Sequence, residues 1–88
     1  MDFLKTLTTG KATVAQEKPE PVHYKGFDIQ PDPLHEEGQY RVQGWISQGD
    51  KRHHFIRADL LPTYALCVEE TLRKARVLID QQGSHLLS

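Results

Sequence analysis

From Tyr64 to Gln82 the chain runs without a glycine or a proline, and Leu, Glu, Arg, Lys and Ala dominate the stretch. These are strong helix formers, so the run predicts the one long helix this sequence can make. Val68, Thr71, Leu72, Ala75, Leu78, Ile79 and Gln82 recur at intervals of three and four and share one stripe. Glu69, Glu70, Arg73 and Lys74 lie largely off it, as two i,i+4 pairs with the acid first. Acids ahead of Arg73, Lys74 and Arg76 suit the helix dipole. Gly83 follows as the C-terminal cap, because glycine takes the left-handed conformation freely. At the other end either Pro62 is the first helical residue or Thr63 is the N-cap; Leu66 leaves no capping box.

Upstream, the periodicity changes from helical to alternating. Residues 39–47 place Tyr40, Val42, Gly44 and Ile46 on one face and Gln39, Arg41, Gln43 and Trp45 on the other. Gln48-Gly49-Asp50-Lys51 reads as a turn. A second alternating run then has His54, Ile56, Ala58 and Leu60 on one face and His53, Phe55, Arg57 and Asp59 on the other. The even-numbered faces of both strands are assigned to the helix. A register in which opposed numbers sum to 100 sets Trp45 against Phe55 and Arg41 against Asp59. Residues 22–30 give an earlier strand, with a parity shift at Gly26 read as a bulge. Pro31-Asp32-Pro33 ends that strand and opens a loop to Gly38 in which Leu34 is a small satellite contact.

The fold class that follows is α+β: a three-stranded antiparallel sheet (β-β-β) with one long C-terminal helix on one face. Residues 1–21 form a polar tail and linker, with Phe3, Leu4 and Leu7 as its apolar start, read as a frayed terminus. Residues 22–88 form one small α+β domain. Such a segment is near the lower limit for folding alone, which favours a homodimer. Cys67 is the only cysteine, so no internal disulfide forms, and at the helix start it reads as a core residue. There is no membrane-length apolar run and no signal-peptide pattern, so the expected location is the cytoplasm.

Nothing in the sequence spells an active site. It holds no nucleophile–base arrangement, phosphate loop or zinc motif, and no enzyme, cofactor or metal is expected. His53 and His54 are adjacent and point to opposite faces of a strand, His54 inward and His53 to solvent. Asp59 is assigned a structural task, accepting hydrogen bonds from the Leu60–Thr63 turn. The uncovered face presents Arg41, Trp45, Phe55 and Arg57 as an interaction surface. Three occupants fit it: a second copy, a nucleic-acid strand stacked on the rings, or the arms of arginine and the N-terminal tail. A formal charge of -1 gives no general attraction to nucleic acid. Were DNA bound, Arg57, Arg73, Lys74 and Arg76 would contact phosphate, with weak and non-specific affinity.

Several blocks together resemble the HlyU-type family of small bacterial proteins. They are the MDFL start, Gly26-Phe27, Gly38-Gln39-Tyr40-Arg41, His54-Phe55-Ile56-Arg57-Ala58-Asp59, Glu70-Thr71-Leu72-Arg73-Lys74-Ala75, and Ile79-Asp80 followed by Gly83. The chain departs from that pattern at Leu61–Leu66 and in a shortened turn at 48–51. The resemblance implies a transcriptional activator. A single long helix cannot form a helix-turn-helix, so regulation is expected to pass through a protein partner. The alternatives are a direct nucleic-acid binder and an interaction or structural module with no regulatory role.

Overall fold

The computed structural model describes residues 19–87. The order is β1 (Val22–Tyr24), β2 (Phe27–Pro31), β3 (Leu34–Glu36), β4 (Gln39–Gln48), β5 (Lys51–Leu61), α1 (Tyr64–Gln82) and a closing 3₁₀ turn, Gly83–Leu87. This is the expected α+β architecture, an antiparallel sheet followed by one long helix, but the sheet has five strands rather than three. The Phe3, Leu4 and Leu7 segment lies outside the described residues.

The two extra strands arise where the sequence suggested irregularity. Lys25 and Gly26 have φ of 50° and 86°, so the parity shift is a two-residue hairpin turn between β1 and β2 rather than a bulge. Both central residues sit at positive φ, the turn whose twist matches that of paired strands. The loop expected after Pro31 is likewise short. β2 and β3 pair with β4 in one unbroken register, from Asp28↔Ser47 to Glu36↔Gln39. Between them the Asp32 N–H donates to the Gln43 carbonyl at 2.8 Å, so the ladder crosses the interruption. By alternation the Pro31 nitrogen points to the opposite edge, beyond the end of β1, where a missing donor costs nothing.

The β4–β5 hairpin corrects the sequence reading most. Its loop is only Gly49 and Asp50, and opposed residues sum to 99 near the turn, as in Trp45↔His54 and Gly44↔Phe55. An odd sum puts the odd residues of β5 on the same face as the even residues of β4. Phe55 therefore enters the core at 3% exposure, while Ile56 and Leu60 stand outside. Arg41 lies opposite Leu60 rather than Asp59, because β5 bulges between the Gln43↔Ile56 and Arg41↔Leu60 pairs. The two histidines exchange places too: His53 is the half-buried inner one and His54 the exposed outer one.

α1 lies across β4, β2 and β5 and buries Cys67, Thr71, Ala75 and Ile79. Of the expected stripe Thr71, Ala75 and Ile79 are buried, Val68, Leu72 and Leu78 are half-buried along its flank and Gln82 is exposed, while Cys67 joins at the start. Opposing it are Phe27, Ile29, Val42, Ile46 and Phe55, and Leu86 from the 3₁₀ turn closes the far end. Close approach is possible because Gly44 lacks a side chain where the helix crosses: a Cβ there would lie 3.0 Å from Thr71 Cγ2. The buried Thr71 hydroxyl donates to the Cys67 carbonyl at 2.7 Å, so it is not an orphan. Thr63 is the N-cap, its Oγ1 accepting from the Leu66 N–H at 3.1 Å. At the other end the Gly83 N–H donates to the Ile79 carbonyl; its φ of 53° with ψ of -128° lies in the mirror-β region open to glycine rather than in the left-handed helical conformation expected of the cap. Neither the first turn holds an acid nor the last a base, so the macrodipole gains little from Glu69, Glu70 and the three cations.

Burial raises the pKa of the Cys67 thiol. A thiol reagent at neutral pH is expected to leave the native protein unmodified and to titrate one thiol after denaturation. Rapid native-state labelling would contradict the packing of the helix start.

Candidate interaction surface

Alternation along β4 and the register of its neighbours define the face of the sheet opposite α1. It carries Gln30 from β2, Leu34 from β3, Arg41, Gln43 and Trp45 from β4, and Arg52, His54, Ile56 and Leu60 from β5. No helix among the described residues packs on this side. Trp45 is half-buried and held from two directions. The His54 ring is 4.6 Å away between centroids, and the Arg52 guanidinium carbon lies 4.5 Å from the indole centre. A cation over an indole face is favourable and lends Arg52 a fixed place.

At the other end, Leu34, Arg41 and Leu60 lie side by side across three strands. Leu34 and Leu60 are each 39% exposed and Ile56, beside them, is 44% exposed. Single exposed aliphatic residues need no explanation, but three clustered with a tryptophan on one uncovered face form an interaction surface by composition. Arg41 does not interrupt it as a free charge. Its Nε and Nη2 donate to the two carboxylate oxygens of Glu36 at 2.7 and 2.8 Å, and Nη1 donates to the Arg57 carbonyl. Arg41 thus acts as a bracket between β3 and β5.

Of the four residues expected on this surface, the structure places Arg41 and Trp45 there and removes two. Phe55 is in the core for the register reason given above. Arg57 is half-buried, with its guanidinium carbon 5.8 Å from the centre of the Phe55 ring and Nη1 donating to the Ile56 carbonyl. Arg52, His54, Ile56 and Leu60 were missed. Their signal was present in the sequence: a Gly49-Asp50 loop of two residues forces an odd register sum.

The cations expected to contact phosphate are mostly engaged. Arg73 forms a two-pronged pair with Glu70 at 2.6 and 2.9 Å, in preference to Glu69. Lys74 sits 3.2 Å from Asp59 and 4.0 Å from Glu70. Asp59 is therefore the strand's anchor for the helix, and Thr63 rather than Asp59 serves the turn. Along α1 three acids, Glu69, Glu70 and Asp80, match three bases, Arg73, Lys74 and Arg76. A shallow groove of about 440 Å³ beside the helix mixes both signs, with Glu69, Arg73 and Arg76 next to Leu61, Leu66 and Leu72. No group of three or more His, Cys, Asp or Glu side chains among the described residues could hold a metal ion.

Three carboxylates held by basic or hydroxyl donors are shifted the same way. The Arg41 hydrogen bond lowers Glu36, the Arg73 hydrogen bond lowers Glu70, and bonds from Lys25 and Tyr24 lower Asp80. A depressed carboxyl contributes stability that is complete above its unfolded pKa, about 4, and is lost as pH falls through its folded value. The melting temperature is therefore expected to hold from neutrality to about pH 5 and to fall below about pH 4. A melting temperature still level at pH 3 would mean that these pairs do not form in solution.

No described helix is long and apolar enough to cross a membrane. Comparison with protein families finds one described as transcriptional activator HlyU, whose model matches residues 2–87. No curated protein and no solved structure matches the chain.

Proposed function

The chain belongs to the HlyU family of transcriptional activators, and from that premise we propose that it regulates transcription through a protein partner bound on the outer face of its sheet. The supporting observation is the cluster of Trp45, Ile56, Leu60 and Leu34 on that face, away from the helix. Such a surface has the composition of a protein interface, with an aromatic anchor and an arginine beside it. The reading includes no catalytic step and no cofactor, and it places the protein in the cytoplasm with the transcription machinery.

Direct reading of DNA is the weaker alternative. A reader of the major groove inserts a helix or a two-stranded ribbon with unpaired polar side chains. Here α1 is the one α-helix of the described residues, it lies on the sheet, and Arg73 and Lys74 are paired with acids. The homodimer expected from the sequence relied on Trp45 and Phe55 together. With Phe55 in the core that anchor is halved, so we assign the face to a different protein. Sedimentation at tens of micromolar is expected to give a monomer, and a dimer weakened by Trp45→Ala would make a second copy the occupant.

A promoter reporter in the native host tests the regulatory reading. Trp45→Ala is expected to lower activation strongly, since a central aromatic is worth about 2 kcal/mol or more, near 30-fold in affinity. Arg73→Ala and Arg76→Ala should change it little. Equal activation by all three variants would remove the outer face from regulation. Loss confined to the arginine variants would favour nucleic acid, and no effect of deleting the whole gene would leave an interaction module without a regulatory role.

A further inference from the structure

We propose that the chain's own N-terminal segment, through Phe3, Leu4 and Leu7, docks on the outer face of the sheet over Leu34, Ile56 and Leu60. This goes beyond the partner reading and shares its surface: a docked segment covers Leu34, Ile56 and Leu60, so a protein partner binds there only by displacing it, and the docking is measured with no partner present.

The first observation is where the described chain begins. Pro19 is half-buried, and its carbonyl accepts a 2.8 Å hydrogen bond from Gln30 Nε2. Gln30 is the register partner of Trp45 on the outer face. The described chain therefore begins at the border of that face, on the β2 side.

The second is the match between tether and distance. Two strand spacings and four residues of rise separate Gln30 from Leu60, roughly 10 Å by 13 Å, or about 17 Å in all. Twelve residues lead from Leu7 to Pro19. A flexible chain of that length has a mean span of about 17–21 Å and a fully extended reach of about 40 Å. A tether whose mean span equals the separation gives the largest effective concentration, on the order of millimolar.

The third is chemical fit. The first eighteen residues concentrate their large apolar side chains at Phe3, Leu4 and Leu7, and the stretch from Thr8 to Lys18 has only Val14 of comparable kind. The face offers three exposed aliphatic side chains of its own, with the Arg41 charge already matched by Glu36. The groove along α1 is a poorer host, since Glu69, Arg73 and Arg76 line it.

A nitroxide at Thr8→Cys in the full chain tests this, read on the backbone amides of ¹⁵N-labelled protein. Cys67 is buried, so the label attaches at position 8. Signals of Leu34, Ile56 and Leu60 should lose at least half their intensity relative to the reduced label, independently of concentration. Adding Phe3→Ser, Leu4→Ser and Leu7→Ser should restore them while the rest of the spectrum stays unchanged. Trp45, the single tryptophan, should become at least 1.5-fold more quenchable by acrylamide in that triple variant. Full intensity at all three residues in the labelled chain would overturn the proposal. So would loss centred on Leu66 and Arg73, or loss that persists when spin-labelled unenriched chains are mixed with unlabelled ¹⁵N chains, which would make a second copy the donor.

Discussion

Phe55→Ala is expected to unfold most of the protein at 37 °C, while Trp45→Ala leaves it folded. Phe55 is 3% exposed and belongs to the cluster that α1 covers. Truncating a core phenylalanine costs about 3–5 kcal/mol, as transfer loss and cavity together. A domain of this size has roughly 3–10 kcal/mol of net stability, so the loss approaches the whole. Each kcal/mol moves the midpoint of so small a domain by about 4–8 °C, which puts the Phe55→Ala shift at roughly 12 °C or more. Trp45 is half-buried on the opposite side, and its stacked cross-strand neighbours are worth about 0.2–1 kcal/mol each. Thermal melts followed by circular dichroism check both. Equal destabilisation by the two substitutions would mean that the hairpin has slipped by one residue.

That contrast also locates what the sequence could and could not say. Alternation alone assigned the inner face of β4 correctly, because Tyr40, Val42, Gly44 and Ile46 differ sharply from their neighbours. On β5 both faces carry apolar residues, Phe55 on one and Ile56 with Leu60 on the other, so hydrophobic pattern does not choose between them. Loop length does choose, since two residues between strands require an odd register sum. Giving weight to the pairing of two aromatics over the geometry of the Gly49-Asp50 turn inverted the strand. The β1–β2 turn was hidden for another reason. It has Lys25 where the favoured sequence has Asn or Asp, and a lysine at φ of 50° leaves little signal. The bounds of the helix were legible because length and composition agreed, while its buried line runs through Cys67, Thr71, Ala75 and Ile79, along one edge of the expected stripe, and leaves Gln82 outside.

Gly44 is expected to be the least replaceable residue on β4. Its hydrogen occupies the point where the helix comes closest to the sheet. An added Cβ would lie 2.8 Å from the Gln30 carbonyl oxygen, 3.0 Å from Thr71 Cγ2 and 3.3 Å from Phe55 Cε1. The two side chains can shift, but the Gln30 oxygen belongs to the backbone of β2 and is fixed by the ladder. Gly44→Ala should therefore cost about 1–3 kcal/mol by overpacking, despite alanine's smaller backbone entropy loss, and Gly44→Val should cost more. Adding Thr71→Ala should recover only part of the loss, since the carbonyl contact remains. Urea denaturation of the single and double variants measures it. An unchanged midpoint for Gly44→Ala would show that the sheet and helix are not in the contact described.

The interaction surface was half legible. Arg41 and Trp45 follow from the β4 pattern, whereas Ile56 and Leu60 depend on a β5 register set by loop length rather than by hydrophobic pattern, and Leu34 on a β3 strand that the sequence did not disclose. The revised surface is more aliphatic than the expected one, with Arg52 in place of Arg57 and the Arg41 charge matched by Glu36, which moves the balance further from nucleic acid.

Fluorescence-anisotropy titration of duplex DNA at about 0.15 M salt, with the target promoter and a scrambled duplex side by side, tests this most directly. The account predicts equal binding to both, no tighter than the non-specific range of about 10⁻⁴–10⁻⁶ M. Nanomolar affinity for the promoter, retained at that salt and lost on scrambling, would contradict it and make the chain a direct reader of DNA.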